Sequence, residues 1–209
     1  MMPPHLVQQY HSIVLESEHL IEQVVQQFSP RAVLTSSFGT HSAALLRLAT
    51  LNGLEEAPVI FVRHPFITPE TVEFAATLQR EYRLDVKVYE SRERHSIEKV
   101  REALLENSEM AEYYRCVYKR EPLERALREL GARAWVSGVR RDESPSRAHL
   151  QKVMQREDGL SLVYPLAFWD ERLIESYFQT HNLPMNHAYF DIFKETHEKK
   201  ECGLHSFAR

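Results

Sequence analysis

Arg31-Ala32-Val33-Leu34-Thr35-Ser36-Ser37-Phe38-Gly39-Thr40-His41-Ser42 passes from an unbroken apolar run into hydroxyls and a glycine, and then into the helical stretch Ala43–Leu51. Apolar residues without alternation predict a strand buried on both faces, as in a parallel sheet covered by helices. Working outward, apolar residues near 3.6 spacing predict a helix over Leu6–Gln27. Further strands are expected at Val59–Val62, Val86–Tyr89, Ala134–Ser137 and Ser161–Pro165, and helices at Pro69–Tyr82, Glu93–Tyr114 and Glu121–Leu130. Strands alternating with helices predict an α/β fold, a doubly wound and mostly parallel sheet of five strands. From about Leu183 the regular pattern fades into a charged tail, expected to be flexible.

Composition narrows the function classes. The 209 residues are 43% hydrophobic and 27% charged, enough to bury a core in a domain of ordinary size. A net charge of −4 argues against a general nucleic-acid binder. No stretch approaches the ~20 apolar residues of a membrane span. The start, Met1-Met2-Pro3-Pro4-His5, lacks the pattern of a secretory signal. Two cysteines without a disulfide framework fit a reducing cytoplasm. Cations bunch at Arg140-Arg141, Arg147 and Lys199-Lys200, which suits a small anionic ligand better than a polyanion.

In a doubly wound sheet, ligands bind beyond the carboxyl ends of the strands. After the first strand, Ser36, Ser37, Phe38 and Gly39 lead into a helix N-terminus, where unpaired backbone N–H groups favour an anion. Hydroxyls there also cap helices, so the motif alone is weak. After the fourth strand comes Gly138-Val139-Arg140-Arg141-Asp142-Glu143-Ser144-Pro145-Ser146-Arg147. Three guanidiniums and two hydroxyls in this position form a clamp for phosphate or sulfate; the alternative is a solvated loop whose arginines pair with Asp142 and Glu143. Lys119-Arg120 adds charge near the same edge. Cys202, flanked by Lys199, Lys200 and His205, lies where cations favour the reactive thiolate.

Five runs occur in one order: Ser36-Ser37-Phe38-Gly39, Pro69-Glu70-Thr71, Lys119-Arg120-Glu121-Pro122-Leu123, Gly138–Arg147 and Glu201-Cys202-Gly203-Leu204-His205. In order and approximate spacing they resemble the phosphoadenosine phosphosulfate (PAPS) and adenosine phosphosulfate (APS) reductases, over nearly the whole chain after Ser29. The resemblance implies a fold of the adenine-nucleotide alpha-hydrolase-like type. It implies a sulfonucleotide-binding domain at 1–182, with 1–28 as its N-terminal helical segment, and a catalytic tail at 183–209. The Ser36–Gly39 loop resembles the family's pyrophosphate-binding loop, and Lys119, Arg140, Arg141 and Arg147 match positions that grip the phosphosulfate and its phosphates. Ser144 is assigned to the same contact. Cys202 matches the catalytic cysteine, whose thiolate attacks sulfur to form an S-sulfocysteine. Thioredoxin or glutaredoxin then releases sulfite. His205 matches the histidine of the motif, either helping the thiol or capping the tail. The resemblance also suggests a homodimer.

The family's iron–sulfur members hold a [4Fe–4S] cluster with four cysteines. With only Cys116 and Cys202, this chain cannot hold one alone, so no cluster, other metal or cofactor is expected, and PAPS is favoured over APS. Cys116 reads as a half-buried residue, or less simply as a resolving partner for Cys202. The family's usual Leu-Asp-Thr-Gly-like run is replaced by Val62-Arg63-His64-Pro65. Arg63 is then an added phosphate contact or a sign of altered nucleotide binding. Two other readings are an ATP-pyrophosphatase-like enzyme, disfavoured because the loop lacks the usual aspartate, and a non-catalytic nucleotide-binding relative.

Overall fold

A computed structural model describes residues 4–106 and 109–194. At its centre, β1 (Ala32–Thr35) pairs in parallel with β2 (Val59–Arg63) on one side and β4 (Ala134–Ser137) on the other. β3 (Val86–Glu90) lies beyond β2, β6 (Ser161–Val163) beyond β4, and β5 (Val153–Gln155) forms an antiparallel edge on β6. The order β3-β2-β1-β4-β6-β5 gives six strands rather than the five expected. β5 escapes sequence reading because it has three residues and a half-exposed edge, too short to show a period.

The central strands alternate between two apolar layers, as the two-residue side-chain period requires. Ala32, Leu34, Phe61 and Val136 pack against one face with α1 (Pro4–Phe28), α2 (Ser42–Leu51), α3 (Pro69–Tyr82) and α7 (Glu171–His181). Val33, Ile60, Trp135 and Leu162 face the other way, onto Leu123 and Leu127 of α6 (Glu121–Glu129). The helix expected over Glu93–Tyr114 is two: α4 (Ile97–Leu105) and α5 (Glu109–Arg115). A π-helical turn, Cys116–Arg120, joins α5 to α6 and carries Lys119. α7, absent from the sequence reading, starts at Asp170, whose Oδ1 accepts the Leu173 N–H at 2.7 Å.

The described part of the segment after α7 packs on the domain. Leu183 and Met185 lie against the first layer, and Phe193 is fully buried among Val100, Tyr114 and Tyr118. Among the described residues no helix is long and apolar enough to cross a membrane.

From β1 the chain crosses through α2 to β2 on one side, while β4 occupies the other. The crevice beyond β1 and β4 is therefore the switch point where such sheets bind ligands. The stretch that leads from β6 into α7 is pinned from beneath by α1. There Ser17 Oγ accepts the Trp169 indole N–H at 2.9 Å and donates to the Pro165 carbonyl at 2.8 Å, with Ser17 sealed from solvent. Ser17→Ala leaves the indole N–H unpaired at a site only 1% exposed. We expect a loss of about 1–3 kcal/mol, read as a lower urea midpoint at unchanged slope.

Candidate active site

The loop after β1 is fixed by Phe38. Its backbone takes a left-handed φ of 50°, which costs a non-glycine residue roughly 1–2 kcal/mol. Three contacts hold it there. The ring is fully buried edge-on against Phe61 at 4.9 Å, the Phe38 N–H donates to Ser36 Oγ at 3.0 Å, and the Phe38 carbonyl accepts Asn186 Nδ2 at 2.8 Å. Gly39 follows because a Cβ would stand 3.2 Å from the Tyr189 ring. The Gly39 carbonyl then accepts both the N–H and the hydroxyl of Ser42, closing the turn into α2. The N–H groups of Ser37, Gly39, Thr40 and His41 have no acceptor among the described residues. Four unpaired donors at the start of a ten-residue helix make a cradle for an anion.

Across the crevice, two tight turns after β4 aim Arg140 and Arg147 inward. Both are about 6% exposed. Arg140 Nη2 donates to Glu171 at 2.7 Å, and its Nε lies 3.5 Å from Asp142 and 3.8 Å from Glu143. Its Nη1 is sealed and has no partner among the described residues. Arg147 pairs with Glu143. The carboxylates are the exposed members of these pairs, Glu171 at 53% and Asp142 and Glu143 at 36%. Burial, joined by the neighbouring Glu143 and Glu171 and opposed by Arg140, holds the Asp142 carboxyl above its ordinary range. An incoming anion can therefore take over the guanidiniums while the carboxylates move to water.

Lys119 forms the third cationic corner. It is buried and donates to Asp191 at 2.5 Å, and Tyr189 donates to the same carboxylate oxygen at 3.3 Å. The cavity measures about 360 Å³, within the range of small-molecule sites. Ser36, Ser37, Gly39, Lys119, Arg140 and Arg147 of the expected site all line it. Phe38 supports the loop from beneath. Arg141 and Ser144 lie away from it. The Arg141 guanidinium stacks 3.9 Å over Phe168 and donates to the Leu150 carbonyl, and Ser144 bonds Ser146. Arg63 also points elsewhere, pairing with Glu90 of β3 at 2.6 Å.

The adjacent His64 lines the cavity instead. Ile60 and Val62 of β2 line the same cavity, and His64 follows directly after Arg63, the last residue of the strand. Burial first, and the Lys119 cation second, push its imidazole from the ordinary 6.5 to about 3, against the weaker pull of Asp191. Burial likewise lowers His41, which stands 3.7 Å from Glu171 and on the cavity wall. Asn186, Tyr189 and Asp191 escaped the sequence reading because they meet Phe38 and Thr71, Gly39, and Lys119 respectively, each 70 or more residues away, which no local pattern reports.

A family model described as the phosphoadenosine phosphosulfate reductase domain matches residues 31–195. The chain belongs to that family. Phosphoadenosine 5'-phosphosulfate reductase of Proteus mirabilis (strain HI4320) is 32% identical over 218 residues, covering 91% of this chain and 88% of that protein. That of Salmonella choleraesuis (strain SC-B67) is 32% identical over 216 residues, covering 91% and 87%. The solved PAPS reductase of Candida auris, a phosphate complex, superposes with a TM-score of 0.67 over 89% of this chain and 90% of that one, at 21% identity. Candida glabrata FMN adenylyltransferase follows with a TM-score of 0.65 at 17% identity, over 86% and 58%. These structural likenesses establish the shared fold, an α/β architecture of the adenine-nucleotide alpha-hydrolase kind.

Cys202 and His205 lie outside the described residues. Cys116 is half-buried at the start of the π-helical turn.

His64 has a consequence for stability. The folded chain keeps it neutral down to about pH 3, whereas the unfolded chain protonates it below roughly 6.5. Between those values the unfolded state binds the extra proton, so stability falls as pH falls. From pH 6.5 to 5 the loss through His64 is about 2 kcal/mol. Urea titrations at pH 7, 6 and 5 should show this slope in the native chain and lack it in His64→Phe.

Proposed function

We propose that this chain reduces PAPS to sulfite and adenosine 3',5'-bisphosphate, with Cys202 as nucleophile and a thioredoxin or glutaredoxin dithiol as reductant. The observation that carries the reading is the convergence of the Ser37, Gly39, Thr40 and His41 N–H groups, Arg140, Arg147 and Lys119 on one cavity. Family membership and relatives named PAPS reductase at 32% identity support it. The relatives' names favour PAPS over APS.

The proposed chemistry has two displacements. The Cys202 thiolate attacks the sulfonate sulfur, and the S–O bond breaks with its electron pair leaving on the nucleotide phosphate. Cys202 is left as an S-sulfocysteine. A thiolate of the reductant then attacks the Cys202 sulfur and expels sulfite, giving a mixed disulfide. The second thiol of the reductant resolves it, restoring the Cys202 thiol and leaving an oxidised reductant. Two electrons pass from the dithiol to sulfur.

Electrostatics supply the need for the buried cations. A thiolate approaching an anionic sulfonate meets like charge, and fixed donors around the cavity offset that repulsion. Position is consistent as well. Phe190 and Asp191 line the cavity, and about eight residues separate Lys194 from Cys202. At ~3.3–3.6 Å per residue, covalent reach is roughly 29 Å at most.

A coupled assay with reduced thioredoxin, comparing PAPS with APS, tests the reading. Cys202→Ser should abolish sulfite release while binding of adenosine 3',5'-bisphosphate persists, and full turnover by that variant would refute the mechanism. Arg140→Ala removes charge-assisted bonds and should lower kcat/KM about 10- to 100-fold.

A further inference from the structure

His41 occupies the N-cap position of α2, yet its side chain makes no capping hydrogen bond. Serine, threonine, aspartate or asparagine would serve the helix better there. The imidazole lies towards α7 instead, 26% exposed and in a T-shaped contact with the Phe178 ring at 5.4 Å. Its Nε2 stands 3.7 Å from Glu171 Oε1, too far for a hydrogen bond. The other oxygen of that carboxylate, Oε2, accepts Arg140 Nη2 at 2.7 Å. One carboxylate thus stands between a guanidinium and an imidazole, committed to the guanidinium.

The main chain on both sides is held. Asp170 caps α7 through the Leu173 N–H and accepts the Tyr10 hydroxyl, so Glu171 springs from a fixed turn. His41 is held by the turn in which the Gly39 carbonyl accepts the N–H and hydroxyl of Ser42. The Glu171 side chain, 53% exposed, has room to swing between its two neighbours. The charges that face His41 are Glu171 and Glu175 of α7, and Arg140 and Glu143 of the turns after β4. Burial lowers its pKa, with Arg140 adding to the shift and the three carboxylates opposing it. The positive start of α2 also disfavours an imidazolium. An anion seated on the N–H groups at that start and on Arg140 reverses this balance. It competes with Glu171 for the guanidinium, offsets the Arg140 charge, and brings negative charge beside His41, whose own N–H belongs to the cradle.

We propose that His41 is a positioning residue: when an anion takes Arg140, Glu171 passes to His41, which takes up a proton from water and holds the carboxylate clear of the guanidinium. The proton returns to water when the anion leaves. The proposal rests on the reading of Arg140 as part of the anion site.

Calorimetry with adenosine 3',5'-bisphosphate and with inorganic pyrophosphate, in buffers of different ionisation enthalpy from pH 6 to 8, counts the protons taken up. Both probes titrate themselves, so the readout is the difference between the native chain and His41→Gln. The native chain should take up more protons than His41→Gln with either probe. Its affinity relative to that variant should rise about threefold from pH 8 to pH 6, the effect of roughly a quarter of a proton averaged over that range. In proton NMR, the His41 ring signal, assigned by its absence in His41→Gln, should move towards the imidazolium position on saturation with the bisphosphate. Glu171→Gln removes the carboxylate charge and should abolish the extra uptake. Extra uptake that persists in Glu171→Gln, or a His41 signal that stays at the neutral position in the saturated native chain, would overturn the relay and leave the anion site standing. A native chain that binds neither probe overturns the anion-site reading, and the relay with it.

Discussion

Asn186 donates to the Phe38 carbonyl and to Thr71 Oγ1, at 2.8 and 3.0 Å, from a site 4% exposed. This one amide ties together the loop after β1, the first turn of α3 and the segment that leads towards Cys202. Phe38 would otherwise have little reason to keep a left-handed backbone, which a bulky residue adopts at a cost. With Phe38 fixed, the following N–H groups are turned away from any internal acceptor and remain available. The same tie seats Tyr189 against Gly39, so the glycine is set by a close approach and not by its own torsion. The loop after β1 and the tail segment are thus one packed unit.

Charge at the site follows a consistent division. The cations Lys119, Arg140 and Arg147 are buried, and around the arginines the balancing carboxylates sit at the rim. A buried cation without a partner is costly, so the arginines need those carboxylates. Because they are exposed, they give way cheaply when a stronger, multidentate anion arrives. Asp191 differs, being as buried as its Lys119 partner. That pair has the character of a structural joint between the π-helical turn and the tail segment, and it leaves its end of the cavity without net charge.

Much of the fold could be read in advance because the central strands are short, mostly apolar runs buried on both faces, such as Ala32–Thr35 and Ala134–Ser137. The elements that escaped are those held by partners. β5 exists only as an edge on β6, and α7 rests on the cap at Asp170 and packing from α1. The break between α4 and α5 carries no proline or glycine to announce it. At the site, strand-end position pointed to the loop, Lys119, Arg140 and Arg147, all of which line the same cavity. It could not sort neighbours within a turn: Arg141 stacks on Phe168 while Arg140 and Arg147 face inward. The family motif around Cys202 was legible only as a motif, since its residues lie outside those described.

The Arg63-His64 pair shows how much turns on a single register step. Reading the departure by charge favoured Arg63, since an anionic ligand invites a cation. Reading it by side-chain period favours His64, because Ile60 and Val62 already face the cavity and every second residue shares a face. The period is the stronger constraint here. Parallel pairing with β3 fixes the main chain of β2 through Arg63, so Arg63 cannot change face without shifting the register, and His64 follows at the strand's end. Arg63 is consequently committed to Glu90 on the neighbouring strand, where a part-exposed ion pair contributes little. His64 lines the cavity, where an uncharged imidazole with a sealed nitrogen has consequences for stability. At a strand end that borders a site, the face a residue occupies decides its role before its charge does.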